Sequence, residues 1–360
     1  MNDPRIAAYA DLLVHRCIGV QPRWQVVVSA QVGARPLVEA VQRRIAEAGA
    51  WAITQLSYDS VGGAWARAAP EEILGEPAPT VLAIQEDADA FIGILAPENM
   101  RDGADLPPRR LLLAQEASAI LRRRMTSMQV PWALCQYPTA ALAQEAGMTL
   151  DQFADFLYGA CLLDWEAEGA RLHRLAARLE GARELRLVGR GTDLRLAIEG
   201  RTWAVDDAHI NLPGGEVFIS PLEDATEGIV TFAECPAVYH GQEVTGAQLR
   251  FEGGRVVDAT AATNEEFLFE VLDADRGARV LGELGIGCNP GITRYMRNTL
   301  FDEKIAGTVH LALGRSYAVT GGVNDSRVHW DMVKDLRRGG ELYVDGQVVQ
   351  RDGAWLEAVV

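Results

Sequence analysis

Cysteine is scarce in this 360-residue chain, which has five cysteines and no Cys-x-x-Cys pair or other cluster of them. An odd number of widely separated cysteines argues against a disulfide framework and is typical of reduced thiols. The sequence therefore predicts a cytoplasmic protein. The five residues are Cys17, Cys135, Cys161, Cys235 and Cys288.

Long apolar runs are also missing. No segment approaches the roughly eighteen consecutive apolar residues that a membrane-spanning helix requires. The first 17 residues carry acids and arginines at helical spacing, where a signal peptide needs a continuous apolar stretch. We therefore expect a protein that is neither exported nor anchored in a membrane.

Basic residues are fewer than acidic ones: the chain has 34 lysines and arginines and 50 aspartates and glutamates, so its formal net charge is -16. A surface of this sign repels nucleic acid and anionic lipid at long range. Neither is expected as a partner. A cationic or metal-bearing ligand suits the charge better.

The length of the chain exceeds what one hydrophobic core usually organises, so two domains are expected. In the first part, strand-like runs at residues 24–30, 51–56 and 91–97 alternate with helical patterns at 36–48 and 111–125. This alternation is typical of βαβ units around a mostly parallel sheet. We predict an α/β amino-terminal domain over residues 1–180.

After Glu184 the pattern changes to short β-rich segments separated by Gly, Asp and Asn. Such segments favour hairpins and an antiparallel arrangement. We predict an α+β, partly barrel-like domain over residues 181–360, with the boundary near residues 165–185. The metal-competent residues described next all fall in this second half.

The most specific chemical motif is His329-Trp330-Asp331. Residues two apart in a strand point to the same face, so this His-x-Asp places an imidazole and a carboxylate side by side toward one cation. Taken alone, the motif is more often a salt-linked histidine.

Further residues that are able to bind a metal accumulate around it. His310 lies in the apolar run TVHLALG, where a buried imidazole needs a partner, although a satisfied core histidine has the same pattern. Glu283 is flanked by leucines and glycines with no basic neighbour. Glu216 follows a turn, and Glu303 precedes His310; each glutamate taken singly is more often a surface residue.

Two histidines and four carboxylates exceed the four ligands of one zinc ion. They suit a pair of divalent cations about 3.5 to 4 Å apart, usually bridged by one carboxylate. Tyr317 stands seven residues after His310, and its phenol is a candidate donor to a developing oxyanion, although a packing tyrosine is equally compatible.

Other features carry less chemistry. Residues 189–194 and 285–291 resemble fragments of dinucleotide-binding loops but lack the full Gly-x-Gly-x-x-Gly spacing before a helix. No Gly-x-Ser-x-Gly elbow is present, and Cys288 has no histidine in its segment. The remaining histidines are not expected to bind a metal: His15 and His173 lie on helices among charged residues and are expected to be solvated, and His209 and His240 lie in polar connections.

With these residues in view, the sequence resembles the M29 family of metallopeptidases, the group of aminopeptidase T and aminopeptidase S. The resemblance covers effectively the whole chain. It is carried by the segments GTDLRLAIEGR, NLPGGEVFISP, LGELGIGCNPGI, NTLFDEKIAGTVHLALGRSY, GGVNDSRVHWDMV and ELYVDGQVV.

The resemblance implies a function and a site. It implies a metal-dependent aminopeptidase that acts on peptides with a free amino terminus, and typically a homodimer. Two divalent ions per chain are expected, of zinc, cobalt, manganese or magnesium. The implied metal ligands are Glu216, Glu283, Glu303, His310, His329 and Asp331, and Tyr317 is the implied active-site tyrosine.

Within this implied mechanism, we assign Glu283 as the bridging or proton-handling carboxylate and Tyr317 as the stabiliser of the oxyanion. Two alternatives stay open. Some relatives of the same fold are iron-dependent ring-opening dioxygenases, for which His310, His329 and Asp331 would form the facial triad. A noncatalytic binding protein that has kept the scaffold is the other.

Overall fold

The structure is a computed structural model that describes residues 3–59, 61–102, 106–117, 119–127, 129–239 and 241–356. His240, which we placed in a polar connection, lies outside these residues. The chain divides into two compact units, one of residues 1–162 with 208–213 and the other of residues 163–207 with 214–360. Among the described residues, none of the helices combines the length and apolarity needed to cross a bilayer.

Most helices of the described residues lie in the first half of the chain, and most strands lie in the second. The helices are α1 (Pro4–Asp11), α2 (Arg35–Glu47), α3 (Val61–Ala68), α4 (Glu71–Leu74), α5 (Pro79–Asp87), α6 (Pro108–Glu116), α7 (Ala119–Thr126), α8 (Ala140–Glu145), α9 (Leu150–Cys161), α10 (Trp165–Leu179), α11 (Glu265–Leu272) and α12 (Thr299–Asp302). The strands are β1 (Gln25–Gln31), β2 (Trp51–Ser57), β3 (Ala90–Leu95), β4 (Trp132–Gln136), β5 (Glu184–Gly189), β6 (Thr192–Ala197), β7 (Ala204–Asp206), β8 (Asn211–Leu212), β9 (Glu216–Ile219), β10 (Thr226–Phe232), β11 (Ala237–Tyr239), β12 (Gln242–Val244), β13 (Ala247–Glu252), β14 (Arg255–Thr260), β15 (Leu281–Gly287), β16 (Thr308–Gly314), β17 (His329–Asp335), β18 (Glu341–Val344), β19 (Gln347–Arg351) and β20 (Ala354–Trp355). Short turns of π and 3-10 helix follow α1, β1 and β16 at Leu12–Cys17, Val32–Ala34 and Ala318–Thr320.

The first unit is built on a parallel sheet with the strand order β2-β1-β3-β4-β8. The valines of β1 explain why it is central, since Val26, Val27 and Val28 are all buried and β-branched side chains suit a strand covered on both faces. Helix α2 follows β1 and buries one apolar stripe. The prediction of an α/β unit with a parallel sheet is confirmed.

The second unit contains two larger antiparallel sheets. One has the order β14-β13-β10-β6-β5-β18-β19-β20, and the other has the order β17-β16-β15-β9-β7. Apolar side chains of both sheets join one core cluster, which includes Leu194, Phe251, Leu284, Leu311 and Trp330. This cluster covers the apolar face of the sheet β17-β16-β15-β9-β7. The polar side chains of that sheet therefore lie on its opposite face. The prediction that the second half is antiparallel is confirmed.

Helix α10 supports the strands that carry part of the polar face. It starts at Asp164, whose side chain accepts a hydrogen bond from the Ala167 N–H, as an N-cap residue does. Leu172 and Leu175 are among the residues that it buries, and it packs against β7 and β9. The helix therefore belongs to the second unit and backs the strand that begins with Glu216.

Candidate metal centre

Strand pairing places candidate ligands on one face of the sheet β17-β16-β15-β9-β7. Asp331 on β17 lies opposite Ala312, and His310 on β16 lies opposite Gly285. Glu216 at the start of β9 lies opposite Gly287 on β15. Directly opposed residues share a face, and so do alternate residues along a strand. The side chains of Glu216, His310 and Asp331 therefore project to the same side.

Glu283 joins this face through an irregularity in β15. The register between β15 and β16 shifts between Leu281 and Glu283, after which Glu283 lies opposite Ala312. A bulge of this kind re-aims a side chain, and bulges are frequent beside active sites. Glu283 is only 4% exposed and points toward both histidines.

Small residues leave the space that the larger side chains occupy. A Cβ on Gly285 would lie 2.0 Å from Cε1 of His310, and a Cβ on Gly287 would lie 2.1 Å from the carbonyl oxygen of Ile305. Neither contact is sterically allowed. The glycines of the segment LGELGIG therefore permit the close approach of the imidazole and of the turn that follows Glu303.

We predict that Gly285→Ala disturbs this face. The strand is paired on both sides, so the added methyl group forces the His310 ring to move, and overpacking typically costs about 1–3 kcal/mol. We expect bound metal and turnover to fall by at least about tenfold. Gly159→Ala on α9 is the control, because a Cβ there meets open space. Metal content and kcat at wild-type levels in Gly285→Ala would contradict the prediction.

His310 is held in one orientation and is surrounded by acids. Its Nδ1 lies 3.0 Å from the carbonyl oxygen of Glu303, and its Nε2 lies 3.3 Å from Oε1 of Glu283. Burial acts to lower the pKa of His310, but the hydrogen bond that its ring donates to Glu283 and the charge of Glu216 outweigh this effect and raise the pKa to about 10. The pocket therefore stabilises positive charge at this position, as a cation site requires.

His329 is oriented in the same way. Its Nδ1 donates to the carbonyl of Arg315 at 2.9 Å, which leaves Nε2 directed into the site. That nitrogen lies 3.5 Å from Oε2 of Glu283 and 3.6 Å from Oδ1 of Asp331. Both oxygens of Glu283 thus face an imidazole, one on each side.

Tyr317 lies beside this second histidine. Its hydroxyl is 3.4 Å from Nε2 of His329, and its ring contacts Phe218 edge-on with ring centroids 5.7 Å apart. Burial, together with the negative charges of Glu283 and Asp331, raises the pKa of the phenol well above its ordinary value. The hydroxyl is therefore a protonated donor at neutral pH.

The sequence analysis missed Lys304. This side chain is fully buried, and its Nζ lies 3.3 Å from Oε1 of Glu216, 3.6 Å from Oδ2 of Asp206 and in contact with Glu303. Burial acts to lower the pKa of Lys304, but these carboxylates outweigh it and raise the pKa well above the ordinary value. The only sequence signal was its place between Glu303 and the apolar strand β16, and a lysine beside a glutamate is usually exposed.

The donor set fits a divalent cation. Glu283, His310 and Asp331 each offer one ligand atom, and these atoms lie within 4.8 Å of one another. Oε2 of Glu216 and Oδ1 of Asp331 are buried without a hydrogen-bond partner among the described residues. A buried acceptor without a partner is costly, and a cation would satisfy it. Mixed imidazole and carboxylate donors suit zinc, cobalt and manganese.

A small pocket that opens to solvent lies beside these residues. Glu303 and Asp331 contribute carboxylates to its lining, and the other residues form mixed apolar and polar walls. Those residues are Pro236, Val238, Tyr295, Arg297, Asn298, Thr299, Asp302 and Val333. Two of the candidate ligands, Glu303 and Asp331, therefore line a pocket that opens toward solvent.

Comparison with known proteins identifies the family. A family model described as thermophilic metalloprotease (M29) matches residues 2–355. The chain belongs to this family. The resemblance inferred from the sequence motifs is therefore confirmed, and this M29 protein is a metalloprotease that requires a divalent metal.

Individual relatives agree with the family model. Aminopeptidase 2 of Geobacillus stearothermophilus is 29% identical to this M29 chain, with 96% of the chain and 94% of that protein aligned. Aminopeptidase T of Thermus aquaticus is 31% identical over 70% of this chain and 72% of its own length. The solved structure of wild-type AmpT from Thermus thermophilus superposes with a TM-score of 0.86 at 25% identity, covering 98% of this chain and 99% of that one.

The structure brings all seven predicted site residues of this M29 chain into one connected set of contacts in the second unit. Glu216, Glu283, Glu303, His310, His329, Asp331 and Tyr317 are joined through the two imidazoles and Lys304. His15 and His173 lie elsewhere, beside Asp11 and Asp207, with half or more of each side chain exposed. Which residues bind metal and which act on substrate stay predictions.

Proposed function

We propose that this chain releases amino-terminal residues from peptides by means of water activated at a site for two divalent cations. The observation that carries the proposal is the convergence of Glu283, His310 and Asp331, with ligand atoms within 4.8 Å of one another, in a metalloprotease of the M29 family. The chain is a metal-dependent aminopeptidase. This prediction is confirmed by the family match and by relatives named as aminopeptidases along nearly their whole length.

The arrangement supports a division of the ligands between two cations. Asp331 and His329 lie on one side of Glu283, and Glu216 and Glu303 lie toward Lys304 on the other. We propose His310 and Glu283 as the residues between the two groups, with Glu283 as the bridging or proton-handling carboxylate. Zinc, cobalt, manganese and magnesium are the candidate metals, since imidazole and carboxylate donors suit all four to differing degrees.

The chain's own residues would then carry out the proton transfers. Bound divalent cations lower the pKa of a coordinated water toward neutrality and polarise the scissile carbonyl. In the proton-handling role, Glu283 would accept the proton of the attacking water and deliver it to the amine nitrogen as the carbon–nitrogen bond breaks. Tyr317 donates a hydrogen bond to the oxyanion of the tetrahedral intermediate. The products are a free amino acid and a peptide shortened by one residue.

We also propose that the metal-binding catalytic domain expected over residues 181–360 lies within the second unit, that the protein is a homodimer and that it is cytoplasmic. All candidate ligands come from residues after Glu184, which supports the first statement. All five cysteines are buried and none of them forms a disulfide bond, which is compatible with a reducing compartment. The homodimer is proposed from the family resemblance alone.

A comparison of free and blocked substrates tests the proposed function. We expect aminoacyl-p-nitroanilides to be hydrolysed, and their N-acetyl derivatives to show a kcat/KM lower by about tenfold to a hundredfold, because a hydrogen bond to a charged group is worth about 1.5–3 kcal/mol. The cavity beside Glu303 and Asp331 offers carboxylates to a free amino group.

A panel of first residues measured with each metal in turn would also give the side-chain preference and the most effective metal. Equal hydrolysis of the acetylated and free substrates would contradict the aminopeptidase assignment while leaving a metallopeptidase in place.

A further inference from the structure

Lys304 is a buried positive charge placed inside the candidate metal centre. Its side chain is 0% exposed, and its Nζ contacts Glu303 and lies 3.3 Å from Glu216 and 3.6 Å from Asp206. Burying an ammonium group is costly unless acidic partners surround it. Three carboxylates provide that compensation for Lys304.

Hydrogen bonds anchor the backbone on both sides of the Lys304 side chain. The Lys304 N–H donates to the carbonyl of Phe301 at 3.0 Å, and the Lys304 carbonyl accepts from the Asn289 N–H at 3.0 Å. The carboxylate of Asp302 accepts hydrogen bonds from the backbone N–H groups of Met296 and Asn298. These bonds stabilise the turn that precedes Asp302. A lysine anchored on both sides of its Cα, with no exposed surface, has little freedom to move its charge away.

The ammonium group of Lys304 gives the carboxylates on the two sides of the candidate metal centre different ion-pair partners. Glu216 and Glu303 have an ammonium partner, whereas the ion pairs of Glu283 and Asp331, among the described residues, are with histidines. A cation that uses Glu216 and Glu303 must share those carboxylates with Lys304. In a buried setting the repulsion between the ammonium and a divalent ion is screened weakly.

We propose that Lys304 is a positioning residue that makes the two cation sites unequal. It holds the carboxylates of Glu216 and Glu303 in place, and it weakens the binding of the cation that needs them. The cation held by Glu283, His310 and Asp331 binds tightly, and the second cation binds in a separate, weaker step. This inference depends on the two-cation function proposed above.

The test is the binding isotherm of Co²⁺ to demetallated protein, measured by equilibrium dialysis. We expect wild-type protein to bind two ions in steps that differ by at least about tenfold, or about 1.4 kcal/mol. Lys304→Met removes the charge and keeps the length of the side chain, and it should tighten the weaker step by at least about tenfold without changing the tighter one.

Lys334→Met is the matched control. Lys334 is also buried, at 1% exposure, but its partners are Glu234, 3.1 Å away, and the carbonyl of Arg190. Its removal costs a buried ion pair of the same kind without changing the charge beside Glu216 and Glu303. We expect its two binding steps to match those of wild type.

Three results would overturn the inference. An unchanged weaker step in folded Lys304→Met, or the same tightening in Lys334→Met, removes the special role of Lys304. If Lys304→Met does not fold, as judged by circular dichroism, wild-type protein still decides the matter, because two steps of equal affinity contradict unequal sites. Binding of only one ion by wild type is a different failure, since it refutes the two-cation function itself.

Discussion

Removal of the metal with EDTA or 1,10-phenanthroline should abolish peptidase activity, and added zinc, cobalt or manganese should restore it. The reason is that the proposed nucleophile is a water whose pKa is lowered toward neutrality by the bound metal. A cysteine nucleophile is not supported, because Cys288 and the other four cysteines are buried and burial raises the pKa of the Cys288 thiol to about 12. The measurement is kcat on an aminoacyl-p-nitroanilide before chelation, after dialysis and after reconstitution with single metals.

The controls separate loss of metal from loss of structure. Circular dichroism of the dialysed protein should resemble that of the untreated protein, since the apolar core of the second unit contains no candidate ligand. Serine-protease reagents should have no effect on the untreated enzyme. Full activity in thoroughly demetallated protein would refute the proposed mechanism.

Glu283→Gln should lower turnover by at least about two orders of magnitude, the effect expected for loss of a general acid or base. Both oxygens of Glu283 face imidazoles, at 3.3 Å from His310 and 3.5 Å from His329, so replacing one oxygen by an amide nitrogen disrupts one side of the site. We also expect fewer bound ions per chain. The fold should survive, because the amide has nearly the same volume as the carboxylate.

Tyr317→Phe is the companion variant that separates catalysis from metal binding. Its hydroxyl is proposed to reach the oxyanion, so its loss should reduce turnover while two ions per chain remain bound. The ring contact with Phe218 is retained by phenylalanine. Metal analysis of wild type and both variants is the measurement. One iron per chain in all three proteins, together with oxygen uptake, would indicate the ring-opening dioxygenase and refute the dinuclear scheme.

Local patterns in the sequence were sufficient for the elements of the fold. The run of valines in β1 and the apolar stripe of α2 predicted a strand and a helix of a parallel sheet, because periods of 2 and 3.6 are visible within a few residues. The His-x-Asp motif likewise predicted a shared face, and the structure places Nε2 of His329 3.6 Å from Oδ1 of Asp331. Both inferences needed only neighbours in the chain.

Local patterns could not predict which residues lie opposite one another when the paired strands are far apart in the sequence. Motif-based resemblance selected Glu216 and Glu303, but no periodicity indicates that Glu216 lies opposite Gly287, or that a register shift turns Glu283 toward the histidines. Helix α10 packs against β7 and β9, and no pattern within the helix indicates these partners.

The sequence by itself determined the strand and helix pattern, the negative charge and the residue types that the metal chemistry needs. Tertiary structure alone decided that Lys304, one residue after a candidate ligand, is fully buried between Glu216, Glu303 and Asp206. Burial and charge pairing are set by strands that are close in space and far apart in sequence. For that reason a side chain that reads as an ordinary surface lysine becomes a fixed charge within the candidate metal centre.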